Sequence, residues 1–439
     1  MRLKVLMGQV VSRKFFMHEK DRIRSAAGLL YRSTQTLRIL THIAWPLSHR
    51  EIFLRDKAYK LPKIEYPRFD ATETRACLAE ARALIHGTSP IDRWLTRIAE
   101  QVESGARLLG ACGSKEFLEH SRALYGVPTD ALQDESSTSL DLANRLSNVF
   151  DRLNHVDLGA PPPACYLADY VAARMSAAAQ AMFGMEAPEV QVVDELSANA
   201  LAGPKRIRIR RVASFTDKDI AQLIEHEVYV HVATSLNGIA QTELKILGAS
   251  HPGSTRTQEG LAVFAEFITG SMDIDRFRRL ADRVLAIQMA IDGADFVDVF
   301  RFFLERADGP EQAFENARRV YRGGDLRGGA PFTKDIVYLD GLLRVHNFLR
   351  AVVAAGRSDC LLLLFCGKLD IEDIPVLCEL SAMGLCRLPR FLPPWAADRR
   401  FLLSYLAYSS YLNNIDLGPI RKHYAGLLEQ SPVVAIPAS

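Results

Sequence analysis

The sequence predicts an α+β protein that is predominantly helical and contains one small mixed or antiparallel sheet. Two observations favour this class. Apolar residues recur at the spacing of an amphipathic helix along most of the 439 residues. Only two short segments, 190–193 and 205–212, alternate apolar and polar residues as strands do.

The composition is that of a globular protein, with 48% hydrophobic and 24% charged residues. The 54 basic and 52 acidic residues nearly cancel, so the surface has no strong charge to attract nucleic acid or acidic lipid. The longest apolar run, 361–366, is far shorter than the roughly 20 residues of a membrane helix, and we interpret it as buried core. The N-terminus has no signal-like cleavage site and is interpreted as mature protein.

The seven cysteines form no CxxC pair, which makes a cysteine-ligated zinc site improbable. We expect buried, reduced thiols in a cytoplasmic protein. The sequence indicates no oligomeric state and no purpose for its N-terminal region.

The N-terminal region is predicted to be helical, with a proline-bearing connector at 60–70 and an exposed loop at 134–139. Its predicted helices are 20–40, 71–86, 90–109 and 115–125. Gly159, followed by three prolines at 161–163, predicts a boundary between an N-terminal helical region, 1–158, and a second domain, 159–439.

The second domain begins with a predicted helix, 167–182, and the two candidate strands. In the strand 205–212, Ile207 and Ile209 would face the core. Ser214 and Asp217 suggest a capping box for a helix at 216–236, which Asn237 and Gly238 would end. Further helices are predicted at 257–269, 274–291, 296–305, 310–321, 333–355, 371–383 and 396–412.

The segment HEVYVH, residues 226–231, contains the residue types of a hydrolytic zinc site. Two histidines can bind the metal, and Glu227 can accept a proton from water. The usual His-Glu-x-x-His spacing leaves the rings about 40° apart around a helix, whereas five residues give about 140°. Either the pair is accidental, or a π-bulge brings His226 and His231 to one side. The surrounding residues are strongly apolar, so unpaired charges here would be costly to bury.

Glu259, in the segment TQEGLA at 257–262, is the best candidate for a third ligand because it begins the next helix. Alternatively, its charge only favours a helix N-terminus. Glu266 could support a ligand or be an ordinary surface carboxylate. Gly260 could allow the backbone to pack closely against the metal helix.

These two motifs together resemble the bacterial flavohemoglobin expression-modulating QEGLA motif proteins and, through them, the microtubule-associated tyrosine carboxypeptidases of animals. The resemblance extends from LPKIEYP at 61–67 to RGG at 322–324 and FTKDIVYLDG at 332–341. It implies a zincin-like metallopeptidase fold in the domain 159–439. One Zn²⁺ would be bound by His226, His231 and Glu259, with Glu227 as the catalytic base. Dipeptidyl peptidase III is similar in using the longer spacing.

The resemblance further implies a carboxypeptidase that acts on the C-terminus of a peptide or protein, with a tyrosine-type preference as one option. The animal relatives remove a C-terminal tyrosine from tubulin. Relatives often carry glycine at the position of Tyr229, so this bulkier residue could narrow the cleft. The substrate is therefore not determined by the resemblance.

A carboxypeptidase needs a cation for the terminal carboxylate of its substrate, and the candidates are Arg322, Lys334 and Arg344. Tyr338 or His346 could stabilise the tetrahedral oxyanion. Each of these five residues could instead have an ordinary structural role.

The strand 205–212 could be an edge to which an extended peptide adds, with Arg210 and Arg211 favouring acidic peptides. Two other functions stay open: a non-enzymatic regulatory protein that keeps zinc for structure, and a hydrolase of a non-peptide amide.

Overall fold

The computed structural model describes residues 18–429, apart from 59, 154–163, 195, 197, 308 and 413–414. The fold is predominantly helical α+β, as predicted. The predicted domain boundary at 158/159 lies outside the described residues and stays a prediction. Among the described helices, none is long and apolar enough to cross a membrane.

The N-terminal part is built of helices, two of which the sequence analysis did not predict, α3 and α7. The described helices are α1 (Glu19–Gln35), α2 (Ile39–His42), α3 (Ser48–Arg55), α4 (Thr72–Leu84), α5 (Pro90–Gly110), α6 (Glu116–Tyr125) and α7 (Ser139–Arg152). A capping box between Thr138 and Asp141 begins α7 at the end of the predicted loop.

The central part contains the strands and the helix that carries the HEVYVH motif. Its elements are β1 (Tyr166–Leu167), α8 (Ala168–Phe183), β2 (Glu189–Val193), β3 (Ala200–Ala202), β4 (Arg206–Arg210), β5 (Ser214–Phe215), α9 (Asp217–Leu223), a π-helical segment (Ile224–Val232) and α10 (Ala233–Ile239). We call Ile224–Val232 the π segment.

The three-stranded sheet has the order β2-β4-β3, in which β4 pairs in parallel with β2 and antiparallel with β3. The prediction that this strand is an open edge is therefore wrong, because both sides of β4 already form backbone hydrogen bonds. Ile207 and Ile209 are buried, as predicted. The edge strand on this side of the sheet is β3.

The remaining described α-helices follow the predicted pattern, except that α16 and α20 were not predicted. They are α11 (Thr255–Ile268), α12 (Ile274–Ile291), α13 (Phe296–Leu304), α14 (Pro310–Tyr321), α15 (Val337–Ala354), α16 (Ser358–Leu363), α17 (Ile374–Ala382), α18 (Pro394–Ala397), α19 (Arg399–Leu412) and α20 (Leu417–Glu429).

Two local predictions were wrong. The capping box of α9 is formed by Thr216 and Asp219, while Ser214 pairs with Leu167 in the two-stranded sheet. Asn237 and Gly238 do not end a helix, since α10 continues to Ile239. The Asn237 amide instead donates to the carbonyls of residues 365 and 391, which fastens α10 to the C-terminal part.

The π segment lies between two hydrophobic cores. The larger core joins side chains of α1, α5 and α6 with those of α11 and α15, and it includes Val230 and most of the apolar run 361–366. The smaller core lies beneath the sheet, between α8 and β4, and includes Val228 and Val232. This segment therefore has packing partners on both sides, which holds its backbone in place.

Candidate metal centre

The π segment brings the two motif histidines together. The ring centroids of His226 and His231 are 4.8 Å apart, and the rings are inclined at 84°. The predicted bulge is confirmed, since the whole stretch Ile224–Val232 is π-helical. A π-turn spans one more residue than an α-turn, so a spacing of five places both rings on the same side.

Glu259 reaches the same point from the first turns of α11. Its Oε2 atom lies 3.6 Å from Nε2 of His226 and 3.6 Å from Nε2 of His231. One ligand atom from each of the three residues can be chosen so that all lie within 4.8 Å of one another. The three residues proposed as ligands from the sequence are thus adjacent in space.

Glu266 supports His226 from behind. Its Oε1 atom is 2.6 Å from Nδ1 of His226, and its carboxylate also pairs with Arg276 at 2.9 and 3.0 Å. Glu266 is fully buried, so the alternative of a surface carboxylate is wrong. Accepting the Nδ1 proton leaves Nε2 of His226 directed at the other two candidate ligands.

Charge at the centre is balanced by these contacts. Burial alone would lower the pKa of His226, but its hydrogen bonds with Glu259 and Glu266 outweigh burial and raise the pKa to about 10. For His231, burial dominates and lowers the pKa. Burial raises the pKa of Glu266, yet Arg276 and His226 bring it down to about 2. A metal that binds here displaces the proton of His226.

Lys334, predicted to bind substrate, contacts the third candidate ligand. Its ammonium group donates to Oε1 of Glu259 at 2.8 Å. This contact leaves Oε2 for the two histidines. Although burial acts to raise the pKa of Glu259, Lys334 and the histidines hold it well below the usual value. Lys334 is therefore paired with an anion.

Glu227 lies between the histidines and the edge of the sheet. Its Oε2 atom accepts a hydrogen bond from the backbone N–H of Ala202 in β3, at 2.9 Å. The side chain is buried. This bond fixes the carboxylate of the predicted base next to the three candidate ligands.

Tyr338 is covered by cations. The charged groups of Lys334, Arg283 and Arg319 lie 5.0, 5.3 and 5.9 Å from its ring centroid. Arg319 also forms a bidentate pair with Asp335 at 2.5 and 3.0 Å and donates to the Tyr338 hydroxyl at 3.4 Å. Tyr338 thus lies beside the centre with its face and its hydroxyl both occupied.

Arg322 is the cation of this group without an acidic partner in the described chain. It is 8% exposed, its guanidinium lies 5.5 Å from the ring centroid of Phe332, and its Nε atom is buried without a hydrogen bond. Burial and the nearby Arg319 lower its pKa to about 10. It still carries its charge at neutral pH, and a buried unpaired cation favours an anionic ligand.

The loop that carries Arg322 is held by the N-terminal region. The N–H of Gly323 donates to the hydroxyl of Tyr66 at 2.8 Å, and its carbonyl accepts from the N–H of Gly113 at 2.9 Å. Gly323 has φ +84°, and a Cβ atom there would lie 2.4 Å from the ring of Phe117. Glycine is therefore required at this close approach.

His346 is not brought to the centre. Its ring packs 5.6 Å from Phe264 and 5.9 Å from Tyr405, in the contact between α15 and α19. It lies more than two turns beyond Tyr338 on α15, and its ring neighbours are aromatic side chains rather than the candidate ligands.

Arg344 and Arg210 are also located elsewhere. Arg344 pairs with Glu372 at 2.9 Å and lies 3.8 Å from Asp370. Arg210 donates to the side-chain oxygen of Asn199 at 2.6 Å, and burial lowers its pKa. Because local partners hold both guanidinium groups, neither is a free anchor for a substrate.

Gly260 permits a close contact, although not with the π segment. A Cβ atom at Gly260 would lie 2.3 Å from the backbone of Gly341 in α15. Tyr229 is half-buried and packs against the smaller core.

Sequence reasoning missed two buried residues. Lys368 donates to the carbonyl of His231 at 3.2 Å and to side chains of Thr234 and Gln258 at 2.9 and 3.1 Å. Tyr125, at the end of α6, interacts electrostatically with the charged groups of the centre. Neither residue lies in a recognisable motif, and each reaches the centre only through tertiary contacts.

The donor set fits zinc. Two imidazole nitrogens and one carboxylate oxygen, with a second carboxylate behind one imidazole, are the arrangement of catalytic zinc sites. Within the described part of the chain, the group contains three candidate ligands. Structural zinc sites usually have four protein ligands, so three leave a position open for water.

The chain is similar in sequence to known proteins. A sequence model of the family described as microtubule-associated tyrosine carboxypeptidase matches residues 51–414. A Mus musculus protein named "Putative tyrosine carboxypeptidase MATCAP2" is 26% identical over 174 residues. That match covers 39% of this chain and 32% of the mouse protein, so the chain spans about a third of the length of this relative.

Proposed function

Because the chain belongs to the microtubule-associated tyrosine carboxypeptidase family, we propose that it is a zinc-dependent carboxypeptidase that removes the C-terminal residue of a peptide or protein. The single observation that carries this proposal is the convergence of His226, His231 and Glu259 beside Glu227. A tyrosine at the cleaved end is the first candidate, by analogy with the family name.

In this proposal His226, His231 and Glu259 would hold one zinc ion, which when bound would supply the Lewis acidity that acidifies water and polarises a peptide carbonyl. Glu227 accepts the proton of the attacking water and passes it to the leaving amine. The hydrogen bond from Ala202 holds one oxygen of Glu227, so the carboxylate keeps its orientation during the transfer.

Arg322 is the proposed anchor for the terminal carboxylate of the substrate. Lys334 pairs with Glu259, and Arg344 pairs with Glu372, whereas Arg322 has no acid partner in the described chain. A carboxylate that reached Arg322 would pair with a cation already largely removed from water, where such pairing is strongest. In this role Lys334 sets the orientation of Glu259.

If the substrate pairs with the sheet, the strand involved is β3, because β4 is paired on both sides. Arg211, once considered for acidic peptides, pairs with Asp194 at 2.6 Å. The preference for acidic peptides therefore has no support from these two arginines.

The test combines metal analysis with peptide turnover. We expect the purified full chain to contain one zinc ion and to release single residues from the C-termini of a peptide library. Glu227→Gln should keep the metal but lose about 100-fold to 10,000-fold in kcat. Glu225→Gln, which alters a neighbouring carboxyl outside the candidate ligands, is the matched control. Peptides with an amidated C-terminus should be poor substrates, because they cannot pair with Arg322.

Four results would contradict the proposal in different ways. Retained zinc with equal turnover by wild type and Glu227→Gln would remove the assigned base. Zinc without turnover of any peptide would favour the regulatory alternative, and turnover of non-peptide amides alone would favour the other hydrolase class. Absence of zinc would exclude all three.

A further inference from the structure

We propose that Tyr125, contributed by the N-terminal region, is a catalytic residue whose hydroxyl donates a hydrogen bond to the carbonyl oxygen that gains negative charge during attack. This inference rests on the proposed function. It assigns to α6 a direct part in the reaction, beyond packing against the second half of the chain.

The backbone of Tyr125 is fixed to the helix that carries a candidate ligand. Its carbonyl accepts a hydrogen bond from Nη2 of Arg256 at 2.7 Å. Arg256 precedes Glu259 by three residues on α11 and is itself paired with Asp340 at 2.9 Å. Tyr125 therefore cannot shift relative to Glu259 without breaking a charge-assisted hydrogen bond.

The ring of Tyr125 is held just as closely. It packs edge-on against Phe332, with centroids 5.5 Å apart, and the guanidinium of Arg322 lies 5.5 Å from the centroid of the same Phe332 ring. Burial raises the pKa of its phenol, while the nearby charges of Lys334 and Arg322 act to lower this pKa and that of Glu259 acts to raise it. The side chain is thus close to the proposed carboxylate anchor and to a proposed metal ligand, the two groups that a C-terminal residue of a substrate would have to approach.

Among the described residues, no hydrogen bond to the Tyr125 hydroxyl is found, and this oxygen is not one of the fully buried polar atoms without a partner, so it keeps some access to solvent. The residue is 3% exposed. A phenol whose ring is packed but whose hydroxyl is accessible and unpaired can donate a hydrogen bond to a ligand. Burial raises the pKa of Tyr125 to about 12, so the group stays protonated and can donate near neutral pH.

Tyr338, the donor suggested by the sequence, is less suited to this role. Its hydroxyl already accepts from Arg319, and three cations surround its ring. Its contacts are those of a residue that holds Lys334 and Arg319 in position. Tyr125 has no such competing partner for its hydroxyl.

The test removes one oxygen atom from the full-length, zinc-loaded protein by Tyr125→Phe. Zinc content and the melting curve should stay as in the wild type, and kcat should fall about 100-fold to 1,000-fold with a small change in KM. Tyr321→Phe is the control for loss of a buried phenol, since the Tyr321 hydroxyl donates to the carbonyl of Ala294. Tyr338→Phe is the direct comparator.

A binding measurement separates this inference from the proposed function. A phosphinic pseudo-peptide with a free C-terminal carboxylate mimics the tetrahedral state, and Tyr125→Phe should weaken its binding about 100-fold. Binding of the uncleaved peptide, measured in a Glu227→Gln background, should change little. Equal affinity of both proteins for the pseudo-peptide would overturn the inference, as would a loss of kcat in Tyr338→Phe alone. If the wild type cleaves no peptide, the proposed function is contradicted. The affinities of the two proteins for the pseudo-peptide would then still test whether the Tyr125 hydroxyl binds the tetrahedral group.

Discussion

At the scale of single residues, each candidate ligand is oriented by the contact that it makes on the side away from the other ligands. Glu259 turns one oxygen to Lys334 and the other to the histidines. His226 turns one nitrogen to Glu266 and the other to Glu259. These outer contacts orient the candidate ligands before any metal binds, which reduces the entropy lost on binding.

Glu266→Gln should lower the affinity for zinc by about 10-fold to 100-fold, because the charge and acceptor behind His226 are lost. Competition with a chelator measures the affinity, and a melting curve checks that the variant folds. Glu225→Gln should behave as the wild type. An unchanged affinity in Glu266→Gln would show that the contact has no effect on the metal.

At the scale of one element, the π segment accommodates the residue that separates this motif from the commoner spacing. Side chains stabilise its last turn: the carbonyl of His231 accepts from Ser235 at 2.6 Å and from Lys368 at 3.2 Å. Lys368 is buried, and burial lowers its pKa to about 8. The widened turn is thus supported by donors from outside the segment.

Deleting Tyr229 should convert the π segment into regular α-helix and leave His226 and His231 four residues apart, about 40° from each other around the axis. We expect the variant to bind one zinc ion. Inserting an alanine after Tyr229 should abolish binding, since a spacing of six separates the rings by about 120°. The zinc content of both variants, measured after a check that they fold, tests this prediction. Loss of zinc in the deletion variant would mean that the π geometry itself is required.

At the scale of the whole molecule, the N-terminal region belongs to the architecture of the centre. Tyr66, in the family-like segment 61–67, accepts hydrogen bonds from Trp45 and from Gly323 next to Arg322. The larger core includes residues from both sides of the predicted boundary. The proposed anchor therefore depends on residues more than 200 positions away in sequence.

Tyr66→Phe removes the acceptor of the Gly323 N–H and should let the Arg322 loop move. One hydrogen bond is worth about 1 kcal/mol, so we expect KM for peptides with a free C-terminus to rise about fivefold, with a smaller effect on kcat. Steady-state kinetics measure this change. Tyr166→Phe, at a half-buried position in β1, is the matched control. If the variant has the same KM as the wild type, Tyr66 does not contribute to substrate binding.

Residue types and local spacing in the sequence determined the helical elements, because amphipathic periodicity reflects local geometry. They also determined the candidate ligands and base, since few side chains bind zinc and the motif places them close together. The predicted π-bulge followed from a spacing that regular helix cannot accommodate. The missed helix α3 spans only eight residues, which is shorter than the stretch over which helical periodicity can be recognised.

Only the tertiary structure decided which cations are free and which strand is an edge. Ion pairs such as Lys334 with Glu259, and strand pairs such as β4 with β3, join positions that the chain brings together only on folding. The same is true of Tyr125, whose place beside Glu259 depends on a contact with Arg256 across 131 residues. The chemistry of a motif is local, but the partners that orient it are selected by packing, which sequence periodicity does not encode.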